Sequence, residues 1–142
     1  MLIREPKTRE DFEKYYELRW RVLRAPWGMP KGSERDDRES ESIHVMACVG
    51  DEVVGVGRLH LNSSEEAQIR FMAVAEGYRG RGIGGLILEE LERRARLMGA
   101  RRVVLNAREK AVHFYEKHGY RVVAKAHKLF NEIQHWKMMK EL

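Results

Sequence analysis

The sequence predicts a single domain over residues 1–142, of the α+β (mixed α/β) class, with a mostly antiparallel central sheet of six to seven strands and about four helices. Three observations predict it. Residues 43–74 hold three strand-like runs joined by short turn signals. At Ile83 the apolar period changes from two residues to about 3.6. Beyond Arg102, short strand-like runs alternate with a helical one. The length agrees, since 142 residues and 16.7 kDa suffice for one core without disulfides.

The elements follow in order. Leu2–Glu5 reads as a short strand. Thr8, with Asp11 three residues on, forms a capping box that opens a helix carrying Phe12, Tyr16, Trp20 and Leu23 on one face. Pro26, Gly28 and Pro30 end it. Residues 31–42, KGSERDDRESES, are wholly polar and predict a loop or a short exposed helix. Ile43–Val49 and Val53–Leu61 flank the hairpin signal Gly50-Asp51. After a second turn at Asn62–Glu66, Gln68–Val74 completes an antiparallel meander. Ile83, Leu86, Ile87, Leu91, Ala95 and Met98 then share a helical face, with Gly99 as C-terminal cap. Glu89–Arg93, Glu90–Arg94 and Glu92–Arg96 are spaced as i,i+4 pairs on its wet side. Arg102–Leu105 is a buried strand and 109–118 a helix closed by Gly119. Tyr120–Ala126 and Ile133–Met139 are the last strands, with Trp136, Met138 and Met139 marking a closing strand.

Composition narrows the function classes. No stretch approaches the roughly 18 apolar residues of a membrane span. The opening MLIREPK lacks the apolar core of a signal peptide. Cys48 is the only cysteine, which excludes an intrachain disulfide and fits a cytoplasmic setting. No histidine spacing suggests a metal site. Twenty-seven Lys+Arg against 22 Asp+Glu give a net charge of +5, which suits an anionic ligand without demanding one. The Arg93, Arg94, Arg96, Arg101, Arg102 group suits either a nucleic-acid patch or a solvated helix face.

The informative segment is Tyr78-Arg79-Gly80-Arg81-Gly82-Ile83-Gly84-Gly85, between a strand and a helix N-terminus. Glycines let backbone N–H groups turn toward a ligand, the helix terminus adds partial positive charge, and Arg79 and Arg81 add two full charges. That is a phosphate or pyrophosphate cradle. Gly80, Gly82 and Gly85 match the spacing of a dinucleotide fingerprint, but they lie too far past the strand, and the next strand ends in Asn106 rather than an acid. A P-loop needs G-K-[S/T], which is absent. Arg79, Gly82 and Gly84 fit a third pattern, Arg/Gln-x-x-Gly-x-Gly/Ala.

With that pattern the chain resembles the GNAT superfamily of acyl-CoA-dependent N-acetyltransferases. Met72-Ala73-Val74 matches the strand end that precedes the arginine in that family. Ala111, Phe114, Tyr115, Glu116, Gly119 and Tyr120 match its later helix, and Asn106 the end of the strand between. The resemblance covers the chain from Val45 onward, and the N-terminal strand and helix fit it. It implies a sheet splayed at an acyl-CoA site and acetyl-CoA as co-substrate. It also implies direct attack by the primary amine of a small molecule or peptide, in a monomer or homodimer that needs neither metal, nucleic acid nor membrane.

Residue by residue, it implies that the backbone of Met72, Ala73 and Val74 pairs with the pantetheine arm and holds the thioester oxygen. It implies that the N–H groups of Arg79, Gly80, Arg81, Gly82, Ile83, Gly84 and Gly85 hold the pyrophosphate, and that Tyr115 protonates the leaving thiolate. A phenol suits that transfer because its ordinary pKa, near 10, lies close to a thiol's. Some branches place a basic Glu where this chain has Gln68, so the general base stays open among Glu39, Glu41, His44, His60 and a water relay. Arg70 shares a strand face with Gln68 and is expected to be unpaired, awaiting an anionic group of the acceptor. The acidic stretch Glu34–Glu41 points the other way, toward a cationic acceptor. A CoA-binding regulatory module and a small nucleic-acid-binding protein are the alternatives from other classes.

Overall fold

The capping box forms as its spacing predicts. Thr8 Oγ1 accepts from the N–H of Asp11 at 3.0 Å, and Asp11 Oδ2 accepts from the N–H of Thr8 at 3.3 Å. It opens α1, Arg9–Leu23, in a computed structural model that describes all 142 residues. The helix buries Tyr15, Leu18, Arg19 and Leu23. Phe12, Tyr16 and Trp20, expected on the buried face, lie half-exposed along its flank.

The strands are β1 (Leu2–Arg4), β2 (Ile43–Val49), β3 (Glu52–Leu61), β4 (Glu66–Val74), β5 (Arg102–Arg108), β6 (Arg121–Leu129) and β7 (Ile133–Glu141). They form one sheet in the order β1-β2-β3-β4-β5-β7-β6. All neighbours are antiparallel except β4 and β5, which are parallel. The crossover between those two is α2, Ile83–Leu97, as a parallel pair requires. The third and last α-helix is α3, Val112–Lys117, so the expected helix count of about four is three, with four short 3-10 turns between elements. The last strand is not the closing edge the sequence suggested. β7 inserts between β5 and β6 and leaves β6 outermost.

Strand alternation assigns the helices to opposite faces. A side-chain carbon at Gly55 or Gly57 of β3 would come within 2.6 Å and 2.8 Å of Ile87 on α2, so the glycines let that helix sit down on the sheet. Arg58, between them and His60, points to the other face, where Arg19 of α1 also lies buried. The core joins both layers through Val45, Val56, Leu59, Ile87, Leu91 and Val103.

Residues 31–42 are not a solvated loop. Glu34 is buried, and Asp36 and Glu39 fold under onto the cationic sheet face. The expected i,i+4 pairs of α2 are likewise replaced. Arg93 bonds Glu90 and Arg94 pairs with Glu5. Glu92 is buried, accepting from Tyr120 at 2.8 Å and Lys140 at 2.9 Å. Arg101 and Arg102 pair with Glu65 and Glu66. Four arginines of the basic group, Arg93, Arg94, Arg101 and Arg102, thus each have a carboxylate partner.

Candidate active site

The site is built where β4 breaks its register. Val56 pairs with Ala73, but Arg58 pairs with Arg70, so β4 spends one residue more than β3 over this interval. The extra residue is a β-bulge, and Phe71 sits in it with φ 57°, a left-handed conformation that costs a bulky side chain strain. The ring is held there by cations. Guanidinium carbons of Arg19, Arg70 and Arg58 lie 4.5, 4.8 and 4.9 Å from its centroid.

The bulge also parts the sheet. β4 and β5 pair only from Glu66↔Arg102 to Ile69↔Leu105. Beyond that, Asn106–Arg108 pair with β7 alone, while Ala73 and Val74 pair with β3 and no strand flanks Phe71–Val74 on the other side. A cavity of about 150 Å³ opens in this gap. Gln68, Arg70, Met72, Asn106 and Tyr115 line it together, as do Arg24, Arg108, His127 and His135.

The glycine loop stands at the other end of the gap. Gly80 and Gly82 have φ of 78° and 82°, which turn the chain into α2 without a side-chain cap. The first bond of the helix runs from Leu86 N–H to Gly82 C=O, so the N–H groups of Ile83, Gly84 and Gly85 have no intrahelical acceptor. Gly84 and Gly85 let α3 close in, since side-chain carbons there would meet Phe114 at 3.1 Å and His118 at 2.9 Å. Arg79 departs from the expected role. Its N–H is turned to the Glu76 carbonyl at 3.4 Å, and its Nε donates to the Val74 carbonyl at 3.3 Å. Ala73 and Val74 lie between loop and cavity and do not line the latter.

Tyr115 reaches across the gap from α3, its hydroxyl 3.7 Å from Met72 Sδ, a weak acceptor. Burial pushes the phenol up to about 12, so it keeps its proton at neutral pH. Gln68 accepts from Asn62 at 3.0 Å. The expectation of an unpaired Arg70 is overturned, because its Nη1 lies 3.2 Å from Asp36. The opposed hints of a cationic face and an acidic loop are two halves of one internal ion network. Arg58 bonds Asp36 at 2.6 Å and Glu39 at 2.8 Å, while Arg19 bonds Glu39 at 2.9 Å.

That network also removes three of the four sequence-proposed bases. Glu39 is engaged by both arginines. His44 is bonded at both ring nitrogens, to the Tyr15 hydroxyl and the Glu39 carbonyl, each at 2.8 Å. His60 Nδ1 faces Arg58 at 3.3 Å. Glu41 pairs with Arg38 on the surface. None of the four lines the cavity. His135, not singled out from sequence, does. Its Nδ1 lies 2.9 Å from the Ile133 carbonyl, which can only accept, so the neutral ring protonates Nδ1 and keeps its lone pair on Nε2. Burial, with lesser help from His127, Arg108 and Arg24, lowers its pKa below 6.5. His127 stacks on it at 4.4 Å. The sequence held no signal for this residue, because its place opposite Arg108 depends on β7 inserting beside β5.

A split parallel pair with a glycine loop at one end and a half-buried tyrosine between is the arrangement the sequence resemblance implied. The chain belongs to the acetyltransferase (GNAT) family, whose model matches residues 12–120, and it is accordingly an acetyltransferase. Among curated relatives, the uncharacterized N-acetyltransferase YjcF of Bacillus subtilis (strain 168) is 34% identical over 135 residues, covering 95% of this chain and 96% of its own. Solved structures share the fold. An aminoglycoside 6'-N-acetyltransferase complexed with coenzyme A superposes with a TM-score of 0.81 at 19% identity, over 99% of this chain and 97% of that one. A GNAT family acetyltransferase from Elizabethkingia anophelis with acetyl-CoA bound gives 0.75 at 20% identity, over 89% and 90%.

Proposed function

We propose that this protein transfers the acetyl group of acetyl-CoA to a primary amine of a small molecule or peptide, by direct attack while both are bound. The observation that carries the reading is the splay of β4 from β5, which leaves Phe71–Val74 without a neighbouring strand on one side, beside a phenol that keeps its proton. Two structural features fit the co-substrate. An unpaired strand edge suits an amide-bearing pantetheine arm, and the acceptor-free N–H groups at the start of α2 suit a pyrophosphate.

Acetyl-CoA supplies an acetyl group activated as a thioester. The chain's residues do the rest. The N–H groups from Gly80 to Gly85 hold the pyrophosphate. A backbone N–H of the Met72–Val74 segment donates to the thioester oxygen as it gains charge. The attacking amine must be neutral and must then lose a proton, and Nε2 of His135 is the lone pair in the cavity wall that takes it. Tyr115 gives its proton to the departing sulfur.

The test pairs binding with turnover. Acetyl-CoA is expected to raise the melting temperature, by about 2.7 kcal/mol of stabilisation at a hundred times its dissociation constant. Thiol release over a panel of amines should then identify an acceptor. Stabilisation by nicotinamide dinucleotides and not by CoA would sink the reading.

A further inference from the structure

Two arginines in the cavity wall have no carboxylate partner. Arg24, at the C-terminal end of α1, donates through Nε to the Ser33 carbonyl and through Nη1 to the Leu23 carbonyl, each at 3.1 Å. Arg108, at the end of β5, donates through Nη2 to that same Leu23 carbonyl at 3.1 Å. Neither forms an ion pair, whereas Arg19, Arg58, Arg70 and Arg102 all do. Sharing one carbonyl oxygen brings the two guanidinium groups side by side.

Their surroundings make this costly. Burial weakens the proton affinity of both, and for Arg24 the charges of Arg108, Arg70 and Arg19 add to the effect. Among carboxylates Glu34 acts foremost on Arg24, and its oxygens are turned to the Gly32 N–H at 2.7 Å and to Arg35 at 3.2 Å. The cavity wall contains no Asp or Glu at all. Its other ionisable groups are Arg70, which shares Asp36 with Arg58, the imidazoles of His127 and His135, and the phenol of Tyr115. A half-buried pair of like charges without a counterion is unfavourable unless something brings the counterion.

Amines are cations in water, and a wall of this sign repels a polyamine. An amine that carries its own carboxylate meets it differently, because the anionic end is attracted while the amine end points away. We infer that the acceptor is a carboxylate-bearing amine, an amino acid in the broad sense, whose carboxylate is gripped by Arg24 and Arg108. Each guanidinium keeps N–H groups beyond those given to the backbone carbonyls, and planar donors of this kind match a carboxylate's two oxygens. The cavity volume, at about 10–15 Å³ for each water-sized position, suits a small acceptor beside the acetyl group.

The inference rests on the acetyltransferase reading, and the experiment separates the two. Stabilisation of the protein by CoA alone reports that reading, and its absence sinks the reading whatever the acceptor. With acetyl-CoA saturating, thiol release is then compared across α- and ω-amino acids, their carboxamides, polyamines and aminoalkyl phosphates. Acids are expected to exceed their own amides in kcat/KM by tenfold or more. In Arg108→Met and in Arg24→Met that preference should collapse toward one, through the KM of the acid, while stabilisation by CoA persists and shows the fold intact. Arg108→Lys should recover part of the preference. The inference is overturned if no acid is acetylated, if amides or polyamines are used as well as acids, if phosphates are preferred to carboxylates, or if both Met variants keep the preference.

Discussion

Arg58 and Glu39 are bonded at 2.8 Å across 19 residues of chain, joining the centre of the sheet to a loop that is polar throughout. The arginine side chain is wholly buried and the glutamate nearly so, and Glu39 holds Arg19 with its other oxygen. The pair thus fixes three things at once: the loop, α1, and the face on which Phe71 rests.

Removing one member should therefore be costly. Glu39→Ala leaves Arg19 without its ion-pair partner and Arg58 with Asp36 alone. The expected loss is about 3–5 kcal/mol, the range for breaking a buried pair from one side. Equilibrium denaturation measures it, and a loss below about 1 kcal/mol would show the network to be ornamental to stability.

The contact of α2 with β3 predicts a second loss. A methyl group at Gly57 would lie 2.8 Å from Ile87 and 2.9 Å from Leu91, both core side chains with little room to yield. Gly57→Ala should cost about 1–3 kcal/mol by overpacking. Gly77→Ala, with nothing within 4 Å and an ordinary φ, is the control and should be nearly neutral.

Tyr115→Phe tests the chemistry. The hydroxyl's partner in the structure is a thioether, so its removal strands no strong acceptor and should barely change stability. Turnover should fall by about 10²–10⁴-fold if the phenol protonates the departing sulfur, with CoA affinity unchanged. Unchanged single-turnover kinetics would take Tyr115 out of the reaction.

Stability should also depend on pH with a definite sign. Burial lowers the pKa of His44, His60 and His135 from 6.5, so below that pH the unfolded chain binds protons that the folded one refuses. Stability is full above pH 6.5 and declines below it until the folded imidazoles titrate. Asp36 adds a second decline in the same direction. Burial raises its pKa, but the Arg58 bond, the Arg38 N–H and the charges of Arg58 and Arg70 prevail and bring it from 3.8 to about 2. Thermal melts from pH 8 to pH 3 should fall monotonically, and a maximum near pH 5 would contradict this.

Much of this architecture was legible in the chain because local signals agree with it. The capping box at Thr8, the turn at Gly50-Asp51 and the period change at Ile83 each stand where they were read. So do the loop glycines and Tyr115, whose neighbours in sequence carry the family pattern. Three things were not legible. Phe71's left-handed backbone has no residue-level signature, since nothing about phenylalanine favours it. The acidic loop and the basic strand face looked like rival hints because their pairing is tertiary. Arg24, Arg108 and His135 meet only through the order of the sheet, and no alternation or spacing encodes that order.

The placement of β7 bears on how the protein comes to be folded. Arg102 of β5 faces Glu66 on one side and Glu141 on the other, so neither neighbour of β5 is joined to it by a tight turn. The meander β2-β3-β4 needs only tight turns, while β5 must await a helical crossover on one flank and a late-arriving strand on the other. Closing long loops before any contact rewards them is slow. The meander is therefore expected to be the early, persistent half, and the seam between β4 and β5 the last joint made. The site proposed for acetyl transfer sits on that joint, so on that reading a partly folded chain cannot act, and competence is a report that assembly is finished.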